Sequence, residues 1–488
     1  MPLELDAKQL SEVWEGQSAL REDMAKRQDY YDGRHDIVTR EDNTYADGTA
    51  KTKRVANWVQ YIVNRYVGLI TSTPYQVTSK EEDADTEGMD SYSAVADANA
   101  LTAIDVENLR GALIQGIKIE LHQFVDSDIL IKQHDARNWA LIYDESGVLV
   151  GAIHRVVLEA GTSRDGTLLD ETTDLMWFWN DKTISRFKTI KDAWVEDGKP
   201  EEHNYGRVPI TVWQINASAT SIISDALIGQ VDEYNEIFSA AGDDIRRDVD
   251  AILAVSGFGA KEWQEALPAI REDKALPLPP DGKAQWLTRN TDVEPVTRHL
   301  VRTREIIHMM GEVPDVEQIA GATGVTSGIA LKLKFLPMLQ AAASMANYLK
   351  AGMRDRIELI NSRLALLKDP IIEDYRVVIQ FELPTNRIEE WKAIQSLNEI
   401  VSHKTQLELL SDIGNPEEEL LRIEDEAEAG IAMTPEEAVE RQEEQVAQIA
   451  LAVGPAVEAA IEGLTAAVLD NILKSGVIDR TLKRAEAA

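Results

Sequence analysis

The chain contains no cysteine, which excludes disulfides, thiolate zinc sites and cysteine nucleophiles and suits a reducing compartment. It has no run of about 18 consecutive apolar residues, so no segment reads as a membrane span. Its start, MPLELDAKQL, has charge and amphipathic spacing but no apolar core of signal-peptide type, and export by a standard signal is not expected. Basic residues are scarce: 50 Lys and Arg stand against 85 Asp and Glu, a formal charge of -35. So acidic a chain repels DNA and does not hold it by neutralising phosphates. Aromatic residues make up only 6% of the chain, yet 44% of its 488 residues are hydrophobic. That is enough for a large core and for more than one domain.

Catalytic constellations are missing as well. His35, His122, His134, His154, His203, His299, His308 and His403 are scattered. They form no HExxH and no i,i+4 pair, and read as core or surface groups rather than metal ligands. No GxSxG marks a nucleophile elbow. The glycine-rich QIAGATGVTSG at Gln318 to Gly328 lacks the Gly-Lys-Ser/Thr ending of a Walker loop, since Ser327-Gly328-Ile329 stands there instead. No cofactor, no metal and no enzyme activity are expected. Carboxylates assembled in space leave no fixed spacing, however, so an acid-rich metal nuclease stays open as an alternative, with no residue singled out.

What is present is periodicity. Leu10 to Tyr31 is helical, ending in YYDGRH, where Gly33 supplies a left-handed C-terminal cap. A second helix over Asn57 to Ile70 stops before Pro74 and the extended Tyr75-Gln76-Val77. Residues 80–97, acidic and serine-rich, read as a mobile loop, and Ile104 to Gln123 as a helix. From Phe124 the period shortens toward two, giving short strands at 129–131, 139–143, 148–150, 153–157, 176–179 and 184–187. Trp177, Trp179 and Trp194 in this region read as core or cross-strand residues rather than a stacking platform.

The most informative stretch runs from Tyr205 to Gly257. YGRVPITVW predicts a strand from Val208 to Trp213 just after the Tyr205-Gly206 turn, either at an edge or with the proline at its start, because Pro209 has no N–H to give to a ladder. Ser224 then caps a long helix whose apolar stripe is Leu227, Val231, Tyr234, Phe238, Ala241, Ile245, Val249 and Ile252. Strands at Ile252–Val255 and Ala284–Leu287 enclose a proline-rich excursion. A second helix runs from near Asp292 to Met310, carrying Arg298, Arg302 and Arg304, which either face phosphates or pair with Asp243, Asp244 and Asp248. Ser327 caps a third helix reaching about Lys368, roughly 60 Å long at 1.5 Å per residue, with Pro337 expected to kink it. Its stripe is Met338, Ala342, Met345, Leu349, Met353, Ile357, Ile360, Leu364 and Leu367. Arg376 to Phe381 alternates as a strand. Beyond Arg387 the chain reads as helical, with thirteen acids against two arginines between Asp412 and Gln445.

The order of these parts resembles the portal proteins of tailed double-stranded-DNA bacteriophages. YYDG, then NxxxxIVNRYVGLITSTPYQV, then YGRVPITVW leading into SDALIGQVDEYNEIFSAAGDDIRRDVDAILAVSG carry the likeness. Each motif is degenerate, and the strength lies in their succession over nearly the whole chain. The resemblance implies an α+β portal-type subunit with a mixed wing (1–217), stem helix (218–250), clip (251–290), second stem helix (291–312), tunnel loop (313–328), long kinked helix (329–368), a strand returning to the wing (369–390) and a helical crown with C-terminal tail (391–488). It further implies a homo-oligomeric, dodecameric ring at one capsid vertex of the virion, assembled in the host cytoplasm. Its partners would be the major capsid protein and scaffold, the terminase motor, head-completion adaptors and the double-stranded DNA passing through.

By the same resemblance, Trp263, Pro277, Pro279 and Trp286 are candidate clip contacts, and Gly321, Thr323, Gly324, Val325, Thr326, Ser327 and Gly328 form the tunnel loop. Lys332 and Lys334 are the first candidates for sparse DNA contacts in the channel, with Arg298 and Arg302 second. The alternative for all four is an ion pair between subunits. The apolar stripes of Leu227 to Ile252 and Met338 to Leu367 are expected to pack between subunits. Besides the nuclease, a helical scaffold or adaptor protein is the remaining alternative.

Overall fold

The computed structural model describes residues 3–249, 252–256, 282–287, 294–315, 328–381, 394, 401–408 and 419–423, apart from short breaks around 46–49, 81–85, 126–127, 162–171 and 191–192. The chain divides into two units, Met1–Leu383 and Pro384–Ala488. In the second unit the longest described element is the helix His403–Glu408. Apart from residue 394, 401–408 and one turn of helix at 419–423, the expected crown and the acidic run 412–445 lie outside the described residues.

The first unit mixes helix and sheet, as the α+β reading requires. It opens with α1 (Ala7–Gly16) and α2 (Ser18–Tyr31) rather than one continuous helix. Gln17 separates them, because its side-chain amide bonds both the carbonyl of Leu141 at 2.9 Å and the N–H of Leu141 at 3.3 Å. At the end of α2, Gly33 takes the left-handed conformation at φ +84°. The N–H of Arg34 then reaches back to the Asp29 carbonyl at 2.8 Å and that of Gly33 to Tyr30 at 3.2 Å, which closes the helix. After the short α3 (Asp36–Thr39), α4 (Trp58–Ile70) is capped by Asn57, whose side chain accepts from the N–H of Gln60 at 3.0 Å. The strand β1 (Gln76–Ser79) follows.

Two expectations fail in the next stretch. Residues 86–98 are not loop but α5 (Thr86–Ala98), since Tyr92 is buried and Met89, Val95 and Ala96 pack against the main core. Their three- and four-residue spacing outweighs the acidic composition. The helix expected to reach Gln123 stops much earlier: α6 (Leu101–Gln115) ends at Gly116, at φ +88° and with its α-carbon so close to the Ala219 carbonyl that a Cβ would lie 2.3 Å from that oxygen. The strand β2 (Ile117–Val125) begins at once, and Ile117, Ile119 and Leu121 point inward in alternation.

The remaining strands of this half are β3 (Asp128–His134), β4 (Trp139–Tyr143), β5 (Leu149–Leu158), the two-residue pair β6 (Ser163–Arg164) and β7 (Thr167–Leu168), β8 (Thr173–Trp179), β9 (Thr183–Ile190), β10 (Ala193–Glu196), β11 (Glu201–Glu202) and β12 (Ile210–Gln214). They build an antiparallel sheet in the order β10-β9-β8-β5-β4, with β11 also on β9, and a three-stranded sheet β12-β2-β3. The strand after Pro209 is at an edge, as that proline predicts. Trp139 stacks on His154 at 4.5 Å and on Trp179 at 5.1 Å, and His154 stacks on Trp177 at 5.3 Å. Trp194 lies apart, under the Arg155 guanidinium at 5.4 Å. These tryptophans are packing residues.

Three helices and two small strand pairs complete the unit: α7 (Asp225–Val249), β13 (Ile252–Ser256) paired antiparallel with β14 (Lys283–Leu287), α8 (Glu294–Met310), α9 (Gly328–Leu367) and β15 (Tyr375–Val378). The last strand pairs with β1 in the register Val77↔Val377, so the chain does return to its N-terminal half after α9. The main core gathers α4, α6, the start of α7 and most of α9.

Candidate functional site

The two helices flanking the β13–β14 pair differ in how their faces are used. Ser224 caps α7 as expected, accepting from the N–H of Leu227 at 3.2 Å, and Leu227 and Val231 are buried. Further along, the buried face is polar. Asn235, Ser239 and Asp243, at steps of four, form a ladder that holds an extended segment. Asn235 Oδ1 accepts from the N–H of Ala56 at 2.8 Å, Ser239 Oγ from Arg54 at 2.9 Å, and Asp243 Oδ2 from Thr52 at 2.8 Å. The Thr52 hydroxyl also bonds Asp243, and the Arg54 side chain crosses α7 directly over Gly242. The stripe residues Phe238 and Ile245, by contrast, are 36% and 53% exposed.

The arginines of α8 find acids close by in the chain. Arg298 pairs with Glu294 at 2.9 Å and Arg302 with Glu305 at 3.1 Å, both on their own helix, and Arg304 pairs with Asp315 at 3.3 Å. Asp243 is taken by the extended segment instead. Sequence spacing of three and four brings the carboxylates of α8 itself within reach first. His299 Nε2 of α8 lies 3.0 Å from Glu233 Oε1 of α7, one link between the two helices. Val301 and Met309 of α8 are exposed.

The long helix α9 corrects a larger expectation. Met338, Ala342, Leu349, Met353, Ile357, Ile360 and Leu364 are all buried within this one subunit, so this stripe is not held back for a neighbour; only its last member, Leu367, is exposed. The helix begins at Gly328, the residue assigned to the end of the tunnel loop, and runs through Pro337. That proline leaves the Leu333 carbonyl without a helical donor. Lys334 is exposed and, with Pro337, lines a cavity of about 500 Å³ shared with Glu305, His308, Met309 and Glu312 at the end of α8. The loop residues Gly321, Thr323, Gly324, Val325, Thr326 and Ser327, the side chain of Lys332, and Trp263, Pro277 and Pro279 lie outside the described residues. Trp286 sits on β14, opposite Leu253 of β13.

Sequence reading missed the polar centre that fixes α9. Arg356, fully buried, donates from Nε to Glu120 Oε1 at 2.9 Å and from Nη2 to Glu120 Oε2 at 2.7 Å and Asp105 Oδ1 at 2.6 Å. Glu120 also accepts from Asn108 at 2.6 Å and from the Trp213 indole at 3.1 Å. The guanidinium lies 4.6 Å from the Trp213 ring, and one turn earlier Gly352 lets that ring approach, since a Cβ there would sit 3.1 Å from it. Burial alone would raise the Glu120 carboxyl, but Arg356 and the bond from His122 hold it below the usual carboxylate range. Asp105, also buried, is pushed up, with Arg356 only partly opposing. The available signal was an arginine three residues after Met353 and four before Ile360, a position on the apolar stripe.

Among the described residues no group of three or more His, Asp or Glu is placed to hold a metal ion, and no helix is long and apolar enough to cross a membrane. Residues 10–432 match the family described as phage portal protein, SPP1 Gp6-like, and the chain belongs to that family. It is thus a portal, or head–tail connector, component of a phage virion. A solved structure described as the neck of an empty GTA particle computed with C6 symmetry is similar over 72% of this chain and 89% of its own, at 12% identity and a TM-score of 0.41. No curated protein matches.

Proposed function

We propose that copies of this chain close into a ring, dodecameric by family resemblance, which forms the conduit for DNA entering and leaving the capsid. The ring also serves as the docking platform for the terminase and the head-completion proteins. Membership of the portal family over residues 10–432 carries this reading. Phe238 and Ile245 on α7 and Val301 on α8 support it, since the subunit leaves these apolar side chains uncovered on the two helices that flank the β13–β14 pair. The role is mechanical: a separate motor translocates DNA while the ring guides it. The charge of -35 per chain, multiplied around a ring, keeps the polyanion off most of the wall. Arg298 and Arg302 are each neutralised by a glutamate of their own helix, which leaves exposed Lys334, with Lys332, as the first candidates to touch phosphates.

Electron microscopy of the purified chain tests the proposal directly: a closed ring with an axial hole is expected, and a monodisperse monomer overturns it. Replacing Gly324 and Gly328 by proline should impair packaging while leaving rings intact, and normal packaging by that variant removes the loop from the mechanism. Free duplex DNA should bind the ring no more tightly than about 10⁻⁶ M at physiological salt. Nanomolar binding would overturn the repulsive-channel account.

A further inference from the structure

The cluster around Arg356 has an unbalanced charge count. Two carboxylates, Asp105 on α6 and Glu120 on β2, face one guanidinium, and exposure is 6% for Asp105 and 0% for Glu120 and Arg356. His122, 1% exposed, adds Nε2 at 3.2 Å from Glu120 Oε1 and at 3.2 Å from the Thr211 hydroxyl. Among the described residues, neighbouring groups do not supply the missing cation. Arg207 is committed to Asp355 and Glu358, and the Tyr75 and Tyr92 phenols are pushed upward by burial and stay neutral. With both carboxylates ionised, two acids and one guanidinium would bury a net negative charge, which is strongly unfavourable away from water.

We infer that Asp105, Glu120 and Arg356 together form a proton-binding site that holds one proton at neutral pH, and that this proton locks α9 against the β12-β2-β3 sheet. The proton resides on the Asp105 carboxyl, which shares Arg356 Nη2 with the ionised Glu120. The upward push of burial on Asp105 agrees with this. When α9 separates from the sheet, Asp105 meets water. There a free Asp releases its proton at about 3.9. Above about pH 7 the open state therefore binds fewer protons than the closed one, and closure weakens as pH rises.

In the assembled full-length protein, the opening constant of α9 amides 349–360 is read by hydrogen exchange across about pH 7 to 9, corrected for the pH dependence of the exchange chemistry. It should rise with pH by up to about tenfold per unit, the limit for loss of one proton. Asp105→Asn removes the excess negative charge, and its opening constant should be flat over the same range. If that variant does not fold, Glu120→Gln removes the same charge from the other side of Arg356 and must flatten the slope equally. A wild-type constant that does not change across this range, or an undiminished slope in whichever variant folds, overturns the inference.

Discussion

The helices α7 and α9 both carry long apolar stripes in sequence, and the fold treats them in opposite ways. The stripe of α9 is buried inside the subunit almost to its end, with one ionic cluster at Arg356 fixing its position. Among its described members, that of α7 is buried at Leu227 and Val231, after which its polar face turns inward and Phe238 and Ile245 face out. The difference shows that a stripe marks a surface to be covered without saying by what. A buried apolar face costs nothing to desolvate. A buried polar face is stable only when each donor and acceptor finds a partner, as Asn235, Ser239 and Asp243 do in the backbone of residues 52–56.

Four variants sharpen this contrast. The largest effect is expected at the ionic anchor of α9: Arg356→Ala leaves Glu120 and Asp105 buried without their cation and should destabilise the subunit by about 3–5 kcal/mol, read by denaturant unfolding. Next comes the apolar anchor, where Leu349→Ala opens a cavity at a fully buried position and should cost about 2–5 kcal/mol in the same measurement. If both changes prove silent, α9 is not held by the packing described.

On α7 the polar ladder should matter less. Asp243→Ala strands the N–H of Thr52 and is expected to cost about 1–3 kcal/mol, visible as faster hydrogen exchange in residues 51–56 with α9 unaffected. Equal loss of protection in α9 would show that the two helices open as one unit. The smallest effect on subunit stability belongs to Phe238→Ser with Ile245→Ser, within about 0.5 kcal/mol each because both sites are exposed. The same pair should nevertheless prevent ring closure in electron micrographs. Intact rings would mean that neighbouring subunits do not cover this face.

Much of the element plan was legible in the residues. Gly33, Asn57 and Ser224 mark helix ends through local chemistry that needs no tertiary context, and Pro209 marks a sheet edge for the same reason. Two boundaries were not legible. The pattern Ile117, Ile119, Leu121 fits a strand, yet it overlaps a run that also fits a helix. The helix ends where Gly116 turns to positive φ, and the Ala219 carbonyl, about a hundred residues away in sequence, leaves room there for no side chain. In α5, composition argued for loop while Met89, Tyr92 and Val95 argued for a face, and burial against the core favours the face.

Of the candidate site, Lys334, Arg298 and Arg302 are exposed where the sequence put them on helices, but the ion partners of the two arginines come from α8 itself. The Arg356 cluster escaped because its members lie at positions 105, 120, 122 and 356, and no spacing links them.

The sequence by itself determined where chain direction changes, which segments repeat at helical or strand period, the acidic charge and the portal-like succession of parts, because each depends on near neighbours or on simple sums. Only the tertiary structure decided which face of α7 is buried, that the stripe of α9 is covered within its own subunit, and that two carboxylates, an imidazole and a guanidinium meet. Those outcomes depend on what other segments bring to the same place, and distant residues are joined by packing, not by spacing along the chain.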